Sequence, residues 1–193
     1  MAPAVDAGFA LFDSAIGRCG VAWTRRGVAG VQLPEGGERE TRARLRRRFP
    51  GAREGAPPAP VRRAIDGIVA LLDGEAGGLD EVTLDLEGVP PFDRRVYEVT
   101  RTIAPGTTLS YGEVAARLGV PGSAREVGRA LGRNPFAIIV PCHRVLAAHG
   151  KVGGFSARGG ARTKLRLISG ERSRGQGALP LFARDGEGGA PSC

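Results

Sequence analysis

Ser110-Tyr111-Gly112-Glu113-Val114-Ala115-Ala116-Arg117-Leu118, then Gly119-Val120-Pro121-Gly122, then Ser123-Ala124-Arg125-Glu126-Val127-Gly128-Arg129-Ala130-Leu131 is the stretch that decides the architecture. Ser110 with Glu113, and Ser123 with Glu126, repeat the S-x-x-E spacing with which a helix start satisfies two orphan amides, so each serine predicts a helix opening. The Gly-Val-Pro-Gly segment between them is a short turn. Two short helices about such a turn read as a helix-turn-helix. In the second helix Ala124, Val127, Gly128 and Leu131 share a face that admits close packing. Arg125, Arg129 and Arg133 recur every four residues as a basic stripe suited to phosphates, with a solvated face as the alternative.

Downstream, Asn134-Pro135 leads into Ile138-Ile139-Val140-Pro141-Cys142-His143-Arg144-Val145. The β-branched run predicts a strand that stops at Pro141, which can neither donate to a ladder nor continue a helix. The next side chains are thereby presented at its end. A thiol is a nucleophile as its thiolate, and His143, one of two histidines with His149, stands beside it as a base. The alternative for a lone Cys-His pair is a buried inert cysteine.

Upstream, Pro90-Pro91 marks a junction, Asp93 is placed to cap a helix through Val96, Val99 and Ile103, and Pro105-Gly106 ends it. Further back, Phe9–Phe12, Gly20–Trp23 and Val28–Leu33 read as three strands of an antiparallel meander. Glu38–Phe49 carries few apolar anchors, so a helix there lies on the surface and Arg46-Arg47-Arg48 reads as its solvated face. Ala56–Pro60 is a linker. Val61, Ile65, Ile68, Val69 and Leu72 repeat at helical spacing up to Gly74. Val82, Leu84 and Leu86 alternate as a half-buried strand.

The charge is unevenly divided. Residues 1–90 hold 12 arginines against 13 acids, a net of −1, and residues 91–193 hold 16 basic residues against 7 acids, a net of +9. A basic half points to an anionic partner, nucleic acid foremost. Cys19, Cys142 and Cys193 form no close pair and no metal-type repeat, which argues against a disulfide framework, a structural zinc or any metal site. No apolar run approaches the roughly 20 residues that span a bilayer, and the amino terminus lacks a basic leader, so a soluble, cytoplasmic protein without membrane contact is expected.

Pro141-Cys142-His143-Arg144-Val145, with Asn134-Pro135 before it, Gly153-Gly154-Phe155-Ser156 after it, and Lys164 and Glu171 beyond, resembles the O6-alkylguanine-DNA alkyltransferases, the methylated-DNA–protein-cysteine methyltransferases. The likeness runs from about Pro91 to Glu171. It implies an α+β chain: a ribonuclease H-like α/β domain over 1–89, a mostly helical, winged-helix-like helix-turn-helix domain over 90–172, and a tail over 173–193. It further implies a monomer without cofactor that takes an alkyl group from O6-alkylguanine, and from O4-alkylthymine, in double-stranded DNA onto its own cysteine, once.

By that likeness Cys142 is the nucleophile, His143 its base through a water, Glu171 the orienter of the imidazole, and Asn134 the holder of the turn before the active-site strand. Arg125 fills the stack where the nucleotide leaves, with Ser123, Ala124 and Arg129 at the DNA. Tyr111 crowds the target phosphate and donates a proton to the leaving guanine. Main-chain groups of Cys142, Val145 and Ser156 read the base, Phe155 packs on it, and Lys164 lies at the pocket edge. Phe155 stands where some relatives have tyrosine, and Ala137 where some have proline. Alternatives are a lesion-binding protein without chemistry, disfavoured by Cys142, an alkylation-sensing regulator, and a cysteine hydrolase, for which a distant histidine and an oxyanion loop are missing. In the tail, Gln176-Gly177-Ala178-Leu179-Pro180-Leu181-Phe182 resembles peptides that dock on the sliding clamp; folding back on the parent core is the other use for its apolar side chains.

Overall fold

The structure, a computed structural model, describes residues 7–75, 77–148 and 160–173. It is a mixed α+β fold. Strands β1 (Ala7–Phe12), β2 (Cys19–Thr24) and β3 (Gly27–Gln32) form the expected antiparallel meander. The sheet order is β3-β2-β1-β4, with the two-residue β4 (Arg53–Glu54) parallel to β1. Helix α1 (Glu38–Arg48) lies across this sheet and buries Thr41 and Leu45. Gly20 lets it approach, since a Cβ there would meet Leu45 Cδ1 at 2.2 Å. Leu45 packs fully buried with Phe9 and Ala22, so truncating it to alanine costs about 2–5 kcal/mol.

Helix α2 (Ala59–Leu72) covers the other face, burying Val61, Ala64, Ile68, Leu71 and Leu72, while Ile65 and Val69 of the apolar pattern are half-buried beside them. It starts inside the stretch taken for a linker, because Pro58 supplies the extended residue before the helix and Pro60 is tolerated in its first turn. The strand expected at Val82–Leu86 shrinks to one bridge, Val28 with Leu84. Asp85 is the reason: its carboxylate accepts from the Glu87 amide at 3.0 Å and from Thr24 and Arg26, which turns the chain off the sheet edge.

Helices α3 (Pro91–Arg101), α4 (Tyr111–Arg117) and α5 (Ala124–Gly132) form the second half, with the turn between α4 and α5 made by Gly119 and Gly122, both at positive φ. Ser110 and Glu113 make the expected capping box. Ser123 does not cap with its side chain: its ψ of 31° is outside the extended region from which a capping oxygen reaches the second or third amide. Asp93 is likewise no cap. It lies inside α3, buried, and holds Arg133 through two bonds of 2.9 and 3.0 Å.

A short parallel pair, β5 (Leu109–Ser110) with β6 (Val145–Leu146), ties α4 to the segment after Cys142. Helix α6 (Ala161–Ser173) closes the described chain. One contiguous apolar core runs from Val28 and Ile68 through Val96 and Val127 to Phe136 and Leu167. No helix among the described residues is long and apolar enough to cross a membrane.

Candidate active site

The run Ile138-Ile139-Val140 is not a strand. The Asn134 side chain donates to the Val140 carbonyl at 3.1 Å and accepts from the Phe136 amide at 2.9 Å, which folds the stretch into a closed, buried turn. Within it Ile138 adopts φ 72°, a left-handed conformation that costs a β-branched residue about 1–3 kcal/mol and persists because its neighbours fix it. Pro141 ends the turn, and Cys142–Arg144 form one turn of 3-10 helix that sets Cys142 partly buried and His143 fully buried. Burial pushes the Cys142 thiol up, while a hydrogen bond from Asn134 and the charge of Lys164 pull it back. At neutral pH it rests as the thiol and needs a base.

His143 supplies one. Its Nε2 lies 2.9 Å from Glu171 Oε1. A carboxylate only accepts, so the neutral ring carries its proton on Nε2 and its lone pair on Nδ1. That Nδ1 is buried and has no hydrogen-bond partner among the described residues. Burial lowers the imidazole pKa against the pull of Glu171, which keeps the ring neutral at rest. For Glu171 burial alone would raise the carboxyl, but hydrogen bonds from His143 and Arg144, with the Gly106 amide at 3.0 Å, hold it at about 2.

Arg144 deserves its place in this cluster on geometry: Nε and Nη2 grip Glu171 at 2.9–3.2 Å, and Nη1 donates to the Ile103 carbonyl at 2.6 Å. Glu171 thus stays ionised whichever form His143 takes. Helix α6 delivers it from the same face as Lys164, seven residues earlier. Lys164 is buried, donating to the Val145 carbonyl at 2.6 Å, with its nitrogen 6.0 Å from the Tyr111 ring centroid. Tyr111 opens α4 half-buried, and burial, with the nearby thiol, raises its hydroxyl pKa, so it stays protonated.

On α5, Val127, Ala130 and Leu131 are buried, and Gly128 faces the Tyr111 ring, where a Cβ would stand 3.9 Å away. Arg125 and Arg129 are exposed and form no ion pair among the described residues, while Ser123 and Ala124 are half-buried at the helix start. Arg133 leaves the expected stripe for Asp93.

Residues 91–173 match the model of the 6-O-methylguanine DNA methyltransferase DNA-binding domain. A methylated-DNA–protein-cysteine methyltransferase of Methanothermobacter thermautotrophicus is 38% identical over 149 residues, 77% of this chain and 76% of that one. The chain belongs to the methylated-DNA–protein-cysteine methyltransferase family. The Mycobacterium tuberculosis member is 46% identical over 125 residues, 65% of this chain and 73% of that one. The crystal structure of M. tuberculosis OGT in complex with DNA superposes at a TM-score of 0.70, with 36% identity, covering 86% of this chain and 94% of that one. The O6-methylguanine-DNA methyltransferase of Pyrococcus kodakaraensis does so at 0.61, with 27% identity over 84% and 98% of the two chains.

Within this family frame the structure brings Cys142, His143, Glu171, Asn134, Lys164, Val145 and Tyr111 into one region, with α5 passing beside Tyr111 at Gly128. The Val145 and Cys142 main-chain groups are already engaged: the Val145 amide donates to the Cys142 carbonyl, and the Val145 carbonyl accepts from Lys164. Phe155 and Ser156, His149, and Gln176–Phe182 lie outside the described residues. Sequence reading gave no role in the site to Arg144, and took Gly106 only for a helix end. Helical spacing of Lys164, Leu167, Ile168 and Glu171 could have announced α6 and its inward face; nothing local announces a partner 27 residues away for Arg144.

Proposed function

We propose that this chain repairs DNA by moving the alkyl group of O6-alkylguanine, and of O4-alkylthymine, onto Sγ of Cys142, with each molecule acting once. The observation that carries the residue assignment is the buried His143, tied through Nε2 to Glu171 so that Nδ1 remains open as an acceptor one residue from the thiol. The thiol proton passes through a water to Nδ1. The growing imidazolium is stabilised by the Glu171 carboxylate, and Arg144 keeps that carboxylate in place, the logic of nucleophile, base and orienter. The thiolate attacks the alkyl carbon, a C–S bond forms, the C–O6 bond breaks, and its electron pair leaves with the base. Tyr111, held protonated, returns a proton to the guanine. The thioether is the end product, and no cofactor enters the balance.

A stacked base is out of reach of a half-buried thiol, so the nucleotide must leave the duplex. Arg125, in the first exposed turn of α5, fills the gap, Ser123 and Ala124 line the groove, and Arg129 contacts phosphate. Asn134 holds the turn and bonds the thiolate, and Lys164 favours its charge. Main-chain groups of Cys142, Val145 and Ser156 read the extruded base, and Phe155 packs on it. The working organisation is a ribonuclease H-like domain over 1–89, a winged-helix-like DNA-binding domain over 90–172 and a tail over 173–193 whose Gln176–Phe182 peptide docks on the sliding clamp. The strand order β3-β2-β1-β4 with parallel β4, and the α4-turn-α5 unit backed by the β5–β6 pair, support the two domain readings. The protein works as a monomer in the cytoplasm, at the nucleoid when bound.

The test is intact mass and peptide mapping after incubation with duplex DNA carrying O6-methylguanine. Wild type gains one methyl, on Cys142, and Cys142→Ser gains none while binding duplex within a few-fold. A methyl found on Cys19 or Cys193 would end the assignment.

A further inference from the structure

The Asn134–Val140 turn is held from outside as well as from within. The Pro135 carbonyl accepts from the Val31 amide of β3 at 2.8 Å, and Val31 forms an isolated parallel bridge with Phe136. Arg48, the last residue of α1, stands over this junction. Its Nη1 donates to Gln32 Oε1 at 2.9 Å and to the Val31 carbonyl at 3.3 Å, and Nη2 lies 3.5 Å from the same Pro135 oxygen. No carboxylate pairs with Arg48 among the described residues, so its charge is spent on these oxygens. Gly30 permits the approach: a Cβ there would meet Pro135 O at 3.1 Å and Phe49 Cζ at 2.5 Å.

Phe136, Ile138 and Val140 pack the turn into the core on its inner side, whereas its outer side is open. A cavity of about 210 Å³, lined by Arg48, Gln32, Asn134 and Ala137 among others, opens beside it. Hydrogen bonds are therefore the main restraint on the outer side of the turn, and they come from the amino-terminal sheet and α1. On the inner side the same turn presents Asn134, whose side chain is bonded to Val140 O and to Phe136 N and pulls down the pKa of the Cys142 thiol that burial raises.

We propose that Arg48 is a positioning residue for alkyl transfer: by fixing Gln32 and Val31 against Pro135, it holds Asn134 where it stabilises the Cys142 thiolate. Arg48 is exposed, as the solvated-face reading of Arg46-Arg47-Arg48 expected, but unlike its two neighbours it reaches back with its guanidinium to the turn. The proposal rests on Cys142 as the acceptor and Asn134 as its partner. A displaced Asn134 leaves the thiolate one hydrogen bond poorer, so the thiol ionises at higher pH and attacks more slowly, with no change in the DNA-contacting surface of α5.

The experiment compares full-length wild type and Arg48→Ala in two ways. One is the single-turnover rate at saturating O6-methylguanine duplex, with the duplex Kd measured separately. The other is the pH profile of iodoacetamide labelling at Cys142, read by peptide mapping without DNA. Expected are a rate reduced roughly tenfold, an unchanged Kd, and a labelling profile displaced to higher pH. Arg48→Lys, which keeps one donor but not the fork, should fall between the two. If Arg48→Ala does not fold, Arg48→Lys against wild type carries the comparison. An unchanged profile and rate in the folded variant, with or without a lower melting temperature, would overturn the proposal. Failure of wild type to take methyl on Cys142 would instead overturn the underlying assignment, and the labelling profile is independent of that outcome.

Discussion

Two arginine-rich helices of this chain differ in what their charges do. In α1, Arg39, Arg42, Arg44 and Arg46 each pair with a glutamate, Arg42 with both Glu38 and Glu54. In α5, Arg125 and Arg129 have no acid partner among the described residues, and the only glutamate of that helix, Glu126, sits in its first turn. Composition alone would rank α1 as the stronger polyanion binder. Matched charges restrain the protein's own parts, whereas unmatched exposed charges leave counterions to be released when phosphate arrives. The buried site carries the first principle furthest, since Glu171 answers both His143 and Arg144.

The largest effect is expected where a matched buried charge is broken. Glu171→Gln leaves the Arg144 guanidinium in the interior without its carboxylate, which costs about 3–5 kcal/mol of stability, read by denaturant unfolding. It also removes the stabilisation of the imidazolium, so transfer at saturating DNA falls even under conditions where the variant is folded. A variant as stable as wild type would show that the match is not doing the holding. The same pair sets the acid limit. Glu171 is depressed in the folded state from 4.5 to about 2, so its contribution is present above pH 4.5 and is lost as pH falls towards 2. His143, lowered from 6.5, is neutral in the folded state, so protonation of the unfolded chain begins to weaken the fold below pH 6.5. The transfer rate, which needs the neutral ring, should hold through pH 6.5 and decline only at lower pH; a rate already halved at 6.5 would contradict the buried base.

Arg125→Ala tests the unmatched side. Transfer from duplex should slow on the order of 10- to 100-fold, because extrusion loses the side chain that fills the stack, while reaction with free O6-methylguanine base is unaffected. Equal slowing on both substrates would move Arg125 from the groove to the active site. Arg129→Ala should weaken duplex binding a few-fold and lower the slope of log K against log salt by about 0.9, the release expected for one phosphate contact. Arg42→Ala on α1 should leave that slope alone; a change there would erase the distinction between the two helices.

Local patterns were legible where short-range periodicity decides the outcome: the meander, α2, and the α4-turn-α5 unit with its Ser110 box all follow from spacing and turn residues. What was not legible depends on partners far along the chain or on a side chain competing with the backbone. Ile138-Ile139-Val140 has a strand's composition, yet the Asn134 amide takes the hydrogen bonds a strand would have used, and the run closes into a turn. Ser123 has the spacing of a cap and the wrong ψ. Val82–Leu86 alternates like a strand, but Asp85 prefers Arg26 and Thr24. The nucleophile and its neighbour base stood out in one line of sequence. The third partner, Glu171, was reachable only through resemblance, and Arg144, which holds it, was in plain view without a reason to be singled out.

The smallest expected effect on binding is also the sharpest discriminator. Arg133 has the spacing of Arg125 and Arg129 and would be counted with them on sequence, but its guanidinium is committed to the buried Asp93 carboxylate, 40 residues away. Its hydrogen bonds to Asp93 raise its own pKa and fix the end of α5 to α3, beside the bond from Tyr97 to the Ala130 carbonyl. Moving it to phosphate would leave Asp93 buried without a partner, a loss that a screened surface contact does not repay. Arg133→Ala should therefore lower the melting temperature and leave the salt slope of duplex binding at the wild-type value. A slope reduced as much as by Arg129→Ala, with the melting temperature unchanged, would mean that Arg133 exchanges Asp93 for DNA. Matching in the free protein would then no longer predict which arginines bind.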